Sequence, residues 1–301
     1  MRRTAVVHLV WGPAGMETFE RFVASYERHA AGADHDLVLL CNAVDDIGPY
    51  RERASGLGAS EIVLPAPSLD LPAYLAAARE LAHERLCFMN SYSEILAPGW
   101  LRMLLAPLDA AGPAAGAAAA SGSWASHRSL ALALMRLPNG YGRSLGDPRA
   151  MFASLQVVST APKVGLAARI VRAARGLPGE IRGFGGFPAA HLRTNGFAVG
   201  RELLLSLRAG ALDTKLATYR FESGRHGLTA QLRERGLGTV VVARDGSARA
   251  PADWPDGDVF WQGAQAELLV ADNQARQYDT GDAAVRDALA RYAWGPRARP
   301  G

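Results

Sequence analysis

The fold of this chain is decided by one stretch, Leu86-Cys-Phe-Met-Asn-Ser-Tyr-Ser-Glu-Ile-Leu-Ala-Pro-Gly-Trp100. Its first four residues form a short apolar run, which predicts a strand that is buried on both faces. The run breaks directly into a polar cluster, Asn90 to Glu94. In an open α/β sheet ligands bind outside the carboxyl ends of the strands, so this cluster is the first candidate for chemistry. Pro98 and the apolar stripe that begins at Trp100 then predict a helix.

Short apolar runs and amphipathic helical patterns alternate along the chain before this stretch. Strands are predicted at Ala5–Trp11, Leu37–Cys41 and Glu61–Leu64, and helices at Met16–Ala30, Tyr50–Leu57 and Leu71–His83. Parallel neighbours need crossover connections, which helices usually supply. The alternation therefore predicts an α/β fold with a mostly parallel, doubly wound sheet.

The rest of the chain is less regular. The glycine-rich segment Ile181 to Pro188 does not fit a dinucleotide-binding fingerprint, because Pro188 breaks the spacing and no strand precedes it, so a flap or a connection is expected. Leu268 to Asp279 is dense in polar residues and predicts an active-site loop or a partner surface, with an ordinary polar loop as the alternative. Further helices are predicted at Ser126–Leu137, Pro148–Ser159, Pro162–Arg175, Leu228–Arg235 and Ala283–Tyr292.

Length and composition bound the class of protein. With 301 residues, 49% of them hydrophobic and 21% charged, the chain is typical of a globular protein. We expect one domain over residues 1–245 and a C-terminal extension over residues 246–301 that packs on it. The last residues, Arg297 to Gly301, are expected to be disordered.

Charge, cysteine content and hydropathy limit which binding partners and which cellular compartment are expected. The net charge is only +4 and the basic residues are scattered, which argues against nucleic acid. Cys41 and Cys87 each lie in a predicted strand, so free buried thiols in a reducing, cytoplasmic setting are expected. No segment has the ~18 apolar residues that a membrane span needs. The basic amphipathic pattern at Pro162–Arg175 predicts a surface helix, with peripheral membrane association as the alternative.

Several of these segments resemble the GT-A glycosyltransferases, most closely the family 2 group. The segment FMNSYSEILAPGWL resembles the Asp-X-Asp region and the helix start that follows it, although Asn90 and Tyr92 stand where the family carries acids. AVVHLVWG is similar to the first strand of the family, LVLLCNAVDD to its base-binding segment, and TNGFAVGRELL to the strand and helix that line the sugar and acceptor site. In the family order the segment near Ala117 to Gly122 is the fifth strand.

The resemblance implies which residues bind a nucleotide-sugar donor. Asn42 takes a base-contacting position with Asp45 and Asp46 nearby, and an asparagine amide can both donate to and accept from a base edge. An Asx turn that closes the strand is the structural alternative for Asn42. We expect Asn42 and Asn90 to face one cleft. The other donor-binding candidates are Asn90, Ser91, Ser93, His191, Arg193, Thr194, Asn195 and Arg225.

The resemblance also implies a catalytic base. Glu222 precedes a predicted helix that ends in Arg-X-X-Gly before a strand, as an acid of the family does, and it would accept the proton of an acceptor hydroxyl. The reaction implied is transfer of a sugar to an acceptor hydroxyl with inversion, and the acceptor would be a glycan or a lipid-linked molecule. A carboxylate that caps a helix N-terminus is the structural alternative for Glu222.

The leaving diphosphate needs a positively charged partner, and the sequence offers two alternative sources of that charge. Glu94, with Asp45 or Asp46, could recruit Mg²⁺ or Mn²⁺, which prefer oxygen ligands. Basic side chains such as Arg193, Arg225 and His191 could instead neutralise the phosphates, and the metal is slightly favoured. The missing acids also support a non-catalytic domain that binds a nucleotide-sugar or glycan. A nucleotidyltransferase is disfavoured because no glycine-rich phosphate loop follows the first strand.

Overall fold

The computed structural model describes residues 3–134 and 182–301, and within them the predicted α/β fold is confirmed. In chain order the strands are β1 (Thr4–Trp11), β2 (Asp36–Asn42), β3 (Ser60–Val63), β4 (Arg85–Met89), β5 (Glu94–Ile95), β6 (Ala115–Ala119), β7 (Gly122–Ser123), β8 (His191–Leu192), β9 (Gly196–Gly200), β10 (Gly238–Val242), β11 (Ala248–Arg249) and β12 (Val270–Ala271). The helices are α1 (Gly15–Arg28), α2 (Gly48–Ala54), α3 (Asp70–Glu80), α4 (Trp100–Ala111), α5 (His127–Leu134), α6 (Arg201–Leu205), α7 (Lys215–Ser223), α8 (Leu228–Glu234), α9 (Asn273–Thr280) and α10 (Ala283–Trp294).

Eight of the described strands form one central sheet in the order β11-β10-β6-β9-β4-β1-β2-β3. Strands β3, β2, β1 and β4 are parallel neighbours, and β6 is parallel to β10. Strand β9 runs antiparallel between β4 and β6, and β11 is antiparallel to β10 at the edge. The sheet is therefore mostly parallel, as the alternation of strands and helices predicts.

Helices cover both faces of the sheet. Successive residues of a strand point to opposite faces, so a strand that is apolar throughout needs a helical layer on each side. In β1, Val7 and Leu9 pack with α3, α8 and α10, whereas Val6 and Val10 pack with α1, α2 and α4. All four of these side chains are buried, so β1 presents apolar residues to both layers. The doubly wound arrangement of the prediction is confirmed.

The alanine-rich strand β6 shows tertiary context overriding intrinsic propensity. Alanine favours helix, yet Ala117 to Ala119 are fully buried and pair with β9 on one side and β10 on the other. A Cβ at Gly116 would clash with the carbonyl oxygen of Gly238, so glycine permits the close approach of β10. Small side chains thus let three strands pack closely beside the polar edge of the sheet.

The C-terminal residues depart from expectation in two places. The polar segment Leu268 to Asp279 is a short strand, β12, followed by helix α9, because the Asp272 carboxylate caps the helix and accepts from the N–H groups of Gln274 and Ala275. The tail expected to be disordered lies against the domain, where Gly301 N donates to the Tyr278 hydroxyl at 3.0 Å.

The other segments from Ala248 onward are also built into the sheet and its core. Strand β11 extends the sheet beyond β10, while Trp254 and Trp294 are fully buried in the same apolar cluster as β1 and β4. None of the described helices combines the length and apolar composition that crossing a bilayer requires. The helices predicted at Pro148–Ser159 and Pro162–Arg175 lie outside the described residues.

Candidate functional site

Polar residues converge at the edge where β4 and β6 end. Because β9 is antiparallel to both, its first residue lies at this edge, and Gly196 pairs with Met89. The turn Thr194–Asn195 delivers the chain from β8 into β9 and so joins the same edge. Strand β2 also ends here and is separated from β4 only by β1, about 10 Å away. Asn42 and Asn90 therefore follow strands that end at one edge of the sheet.

The polar groups directly after β4 bond to one another in a set that we call the β4-end network: Asn90, Ser93, Ser121 and Asn195. Asn90 N donates to Asn195 O, and Asn90 Oδ1 accepts from the N–H of Tyr92. Ser93 Oγ lies 2.7 Å from Asn195 O, and Ser121 Oγ donates to Asn195 Oδ1 at 2.8 Å. The amide nitrogen of Asn195 is buried without a partner. Most of the hydrogen-bonding groups that were predicted to contact a nucleotide-sugar are therefore bonded to other groups of the protein.

The Asn42 side chain connects the end of β2 to the segment just before α3. Its Nδ2 donates to Ser68 O at 2.7 Å, and its Oδ1 accepts from Ser68 N at 2.9 Å. The side chain is 1% exposed. The N–H donor and the oxygen acceptor of this amide, which would contact a base edge, are thus both already hydrogen-bonded. The arrangement differs from the local Asx turn of the structural alternative.

The neighbouring candidates differ in exposure. Asp45 and Asp46 are exposed after β2, and Asp46 Oδ1 accepts from Gly48 N at the start of α2. Ser91 is buried, and its hydroxyl makes no hydrogen bond with any described residue. Among these three residues, only the two aspartates present charge to solvent.

The positive charge of Arg193 is paired with other groups inside the protein. Its guanidinium pairs with the buried carboxylate of Asp272 at 2.7 Å and donates to Gln274 Oε1 at 2.8 Å. The same group lies 3.7 Å from the centre of the Phe260 ring, which is a cation–π contact. Arg193 therefore ties the β8–β9 turn to α9, and its charge is not free for a diphosphate.

The residues after β4 do not fit a hard divalent cation. Glu94 lies in β5, which packs along α1, since Ile95 N donates to Ser25 Oγ well along that helix. The Glu94 carboxylate pairs with Arg276 of α9 at 3.3 Å, and Arg276 also donates to Tyr92 O. Within residues 3–134 and 182–301, no group of three or more His, Cys, Asp or Glu side chains is arranged to hold a metal. The predicted ligand Glu94 thus already has a guanidinium partner and belongs to no such group of ligands.

Glu222 lies in the last turn of α7, which corrects the expectation that it begins a helix. A negative charge at a helix C-terminus opposes the macrodipole, so capping does not explain this carboxylate. Its Oε1 accepts from Thr194 N at 3.0 Å and from Thr194 Oγ1 at 2.6 Å. These two hydrogen bonds position Glu222 at the sheet edge and leave its second oxygen for another proton donor.

The helix faces that flank Glu222 carry further reactive groups. Lys215, Tyr219 and Glu222 share one face of α7, and Asp70 and Tyr74 share one face of α3, because residues three or four apart are neighbours on a helix. Burial raises the pKa of Asp70, and the Glu222 charge raises it further. The two helix faces thus lie within electrostatic range of each other. We call these five residues the helix-face cluster.

Two histidines beside the cluster are held neutral. Burial lowers the pKa of His127 to about 4, and it also lowers the pKa of His191. His127 stacks on Tyr219 with ring centres 5.3 Å apart, while His191 Nδ1 lies 2.8 Å from Ala189 O. Neutral imidazoles do not neutralise phosphates, so His191 does not supply the predicted positive charge. Arg225, by contrast, is exposed just after α7.

Sequence reasoning missed Asp70, Tyr74, Lys215 and Tyr219. The signal was present as spacing, because Asp70 and Tyr74 lie four residues apart where a helix is predicted to begin, and Lys215 and Tyr219 lie four residues apart just before Glu222. Nothing local in the sequence indicated that the Glu222 charge acts on Asp70. Asp272 was missed because its segment was interpreted as a loop.

The chain matches no protein-family profile and no curated protein. Among solved structures it is similar to glucosyl-3-phosphoglycerate synthase from Mycobacterium tuberculosis, in complex with Mn²⁺, UDP and glucosyl-3-phosphoglycerate. That match has 20% identity and a TM-score of 0.37, and it covers 76% of this chain and 68% of the synthase.

Two further solved structures match smaller parts. S. aureus TarS in complex with UDP-GlcNAc is 14% identical over 39% of this chain and 34% of its own, with a TM-score of 0.33. GalNAc-T7 with UDP, GalNAc and Mn²⁺ is 14% identical over 38% of this chain and 22% of its own, with a TM-score of 0.32. The match thus spans about a third of the TarS chain. Likeness at these scores carries no conclusion about activity.

Proposed function

We propose that this chain is a GT-A-type, family 2-like glycosyltransferase, which moves a sugar from a nucleotide-sugar to an acceptor hydroxyl with inversion. One observation carries the proposal: Glu222 is fixed by two hydrogen bonds from Thr194 at the edge of the sheet where the parallel strands end. A helix gains nothing from a carboxylate in its last turn, so the placement favours a chemical role.

The chemistry asks one group to accept a proton as the glycosidic bond forms. Glu222 takes the proton of the acceptor hydroxyl on its second oxygen while Thr194 holds the first. The acceptor oxygen then bonds to the anomeric carbon on the face opposite the nucleoside diphosphate, which leaves with the electron pair. Because attack and departure are on opposite faces, the anomeric configuration inverts.

No step of this mechanism passes through a metal. Glu94 is paired with Arg276 on the α1 side of β5, and the β4-end network offers neutral oxygens only. Lys215 of the helix-face cluster and Arg225, three residues after Glu222, are both exposed. We assign these two cations to the leaving diphosphate, because Arg193 is paired with Asp272. Donor binding should then be equal in EDTA and in Mn²⁺.

A non-catalytic domain that binds a nucleotide-sugar or glycan is the second candidate. It is favoured by the β4-end network, in which polar groups that could hold a donor are bonded to one another. Such a domain would bind a nucleotide-sugar but would leave its glycosidic bond intact.

Thermal unfolding in the presence of UDP-, GDP- and dTDP-sugars tests both candidates. A donor at 100 times its dissociation constant adds roughly 2.7 kcal/mol to the free energy of unfolding. We expect one nucleotide class to stabilise the protein, and we expect slow hydrolysis of that donor without an acceptor. Binding without hydrolysis or transfer would favour the non-catalytic domain, and no stabilisation by any of the three would refute both.

A further inference from the structure

We propose that Asp272 is a positioning residue for Glu222: through Arg193 it fixes the turn whose Thr194 holds the Glu222 carboxylate. The inference rests on the proposed function, in which Glu222 accepts the proton of the acceptor hydroxyl, and it makes the C-terminal extension part of the active site. Asp272 stands just before α9, whereas Glu222 ends α7, so no local pattern near Glu222 indicates the link.

The two oxygens of the Asp272 carboxylate have different partners. Oδ1 caps α9 by accepting from the N–H groups of Gln274 at 3.1 Å and Ala275 at 2.9 Å. Oδ2 accepts from Arg193 Nη2 at 2.7 Å. The carboxylate is 1% exposed and the Arg193 side chain is 11% exposed, so water screens this pair little. Capping uses only the first oxygen, and the second is committed to the turn.

The C-terminal extension encloses the Arg193 side chain with two more contacts. Gln274 Oε1 accepts from Nη2 at 2.8 Å, and the guanidinium carbon lies 3.7 Å from the centre of the Phe260 ring. A planar guanidinium that is paired with a carboxylate and stacked on an aromatic ring has one preferred orientation. Arg193 is therefore held in a fixed place relative to the start of α9.

The order imposed on Arg193 extends across the turn to Asn195. Arg193 donates to Ser121 twice, from its backbone N to Ser121 O at 3.1 Å and from Nη1 to Ser121 Oγ at 3.2 Å. Because the guanidinium can only donate, the single proton of the Ser121 hydroxyl goes to Asn195 Oδ1, at 2.8 Å. We call Asp272, Arg193, Ser121 and Asn195 the turn-fixing chain.

Thr194 lies between two members of the turn-fixing chain, Arg193 and Asn195. Its N–H and its hydroxyl donate to the same oxygen of Glu222, at 3.0 Å and 2.6 Å. Two donors on one oxygen orient a carboxylate only while both donors keep their positions. A displacement of about 1 Å at a reacting group can cost roughly 10²-fold in rate. The turn-fixing chain thus sets the direction in which the second Glu222 oxygen faces the acceptor.

Two variants separate this positioning from capping and from stability. Asp272→Asn retains the cap, since asparagine caps helices about as well as aspartate, but it turns the acceptor that faces Arg193 into a donor. The double variant Arg193→Met with Asp272→Asn leaves no unpaired charge in the interior, so we expect it to unfold near the temperature of the wild type. The matched control is Asp282→Asn, which makes the same change at an exposed residue that caps α10.

Turnover and donor affinity are measured at equal concentrations of folded protein. We expect both Asp272 variants to lose about 10- to 100-fold in turnover with donor affinity nearly intact, and Asp282→Asn to match the wild type. A role in stability alone predicts instead that the double variant recovers activity together with its unfolding temperature. Low turnover in a stable double variant therefore identifies positioning.

Hydrogen exchange followed by NMR gives a readout that does not depend on activity. The Thr194 amide should exchange about tenfold faster in both Asp272 variants, because its bond to Glu222 opens more often. The Leu192 amide is the internal reference, since it donates to Thr229 Oγ1 of α8 at 2.9 Å and should stay as protected as in the wild type.

The outcomes distinguish this inference from the proposed function. A double variant as active as the wild type, or unchanged exchange of the Thr194 amide, would overturn the role of Asp272 and leave the glycosyltransferase standing. A wild type that neither binds nor turns over any nucleotide-sugar would refute the proposed function. The Thr194 and Leu192 amides would then decide by themselves whether Asp272 holds Glu222 in place.

Discussion

The β4-end network and the helix-face cluster lie at the same edge of the sheet but treat polar groups in opposite ways. After β4, Ser93 and Asn195 are buried and bonded to one another, although the Asn195 side-chain nitrogen has no partner, and Glu94 has a guanidinium partner. In the helix-face cluster, burial and the Glu222 charge raise the pKa of Asp70, and the buried Tyr74 hydroxyl has no hydrogen-bond partner. Satisfied groups stabilise a fold, whereas unsatisfied or mutually repelling groups are typical of sites that bind or react.

The difference shows that position along a strand does not by itself identify a site. The carboxyl-end rule selects this edge as the candidate site, yet the residues directly after the strand are used for structure. The residues that remain open come from helices far away in the chain. A useful question for any candidate is therefore which of its hydrogen bonds and charges are still available.

The largest expected effect is on Glu222. Glu222→Gln keeps an acceptor for Thr194 but removes the proton-accepting charge, so turnover should fall about 10²- to 10⁴-fold with donor affinity nearly intact. Donor hydrolysis and transfer by equal amounts of folded protein measure this. Glu234→Gln, a half-exposed glutamate on α8, is the matched control. A fully active Glu222→Gln protein would remove the residue from the mechanism.

A smaller effect is expected in the β4-end network. Ser93→Ala removes a fully buried hydroxyl and leaves Asn195 O with the Asn90 N–H as its remaining donor, which should cost about 0.5–1.5 kcal/mol in the free energy of unfolding. Ser91→Ala, two residues earlier, deletes a hydroxyl that bonds to no described residue and should cost under about 0.5 kcal/mol. Urea unfolding of both variants decides the matter: equal losses would show that the network is not what holds this edge.

The smallest effect has the opposite sign. Burial and Glu222 raise the pKa of Asp70, so the folded state holds this proton more tightly than the unfolded state and loses stability as pH rises above the ordinary value of 3.8. Asp70→Asn should therefore stabilise the protein near neutral pH and give no gain in strong acid. The carboxylate is open to solvent on one side and begins a helix, so the gain should stay under about 1 kcal/mol.

Thermal unfolding of wild type and Asp70→Asn across the acid range measures this difference. A variant that is less stable at neutral pH would show that the helix dipole outweighs the repulsion from Glu222, and it would place Asp70 with the satisfied groups. The contrast between the two regions would then rest on Glu222 alone.

Local sequence patterns are enough to predict the first four strands and the edge at which they end. Apolar alternation is a local property, so β1, β2, β3 and β4 lie within a residue or two of their predicted positions, and the polar residues after β4 are at the predicted edge. Glu222 and Thr194 were both selected as candidates, although nothing in the spacing showed that they are bonded to each other.

Which of these polar groups remain available depends on how distant elements pack together. Arg276 reaches Glu94 across 182 residues of sequence, and Asp272 reaches Arg193 across 79. These pairings depend on where α9 packs, which no periodicity near Glu94 or Arg193 records. Helix and strand formation follow from short-range patterns, but a side chain's partner is fixed by the packing of whole elements, so the chemistry left open at this edge emerges only when the chain is folded.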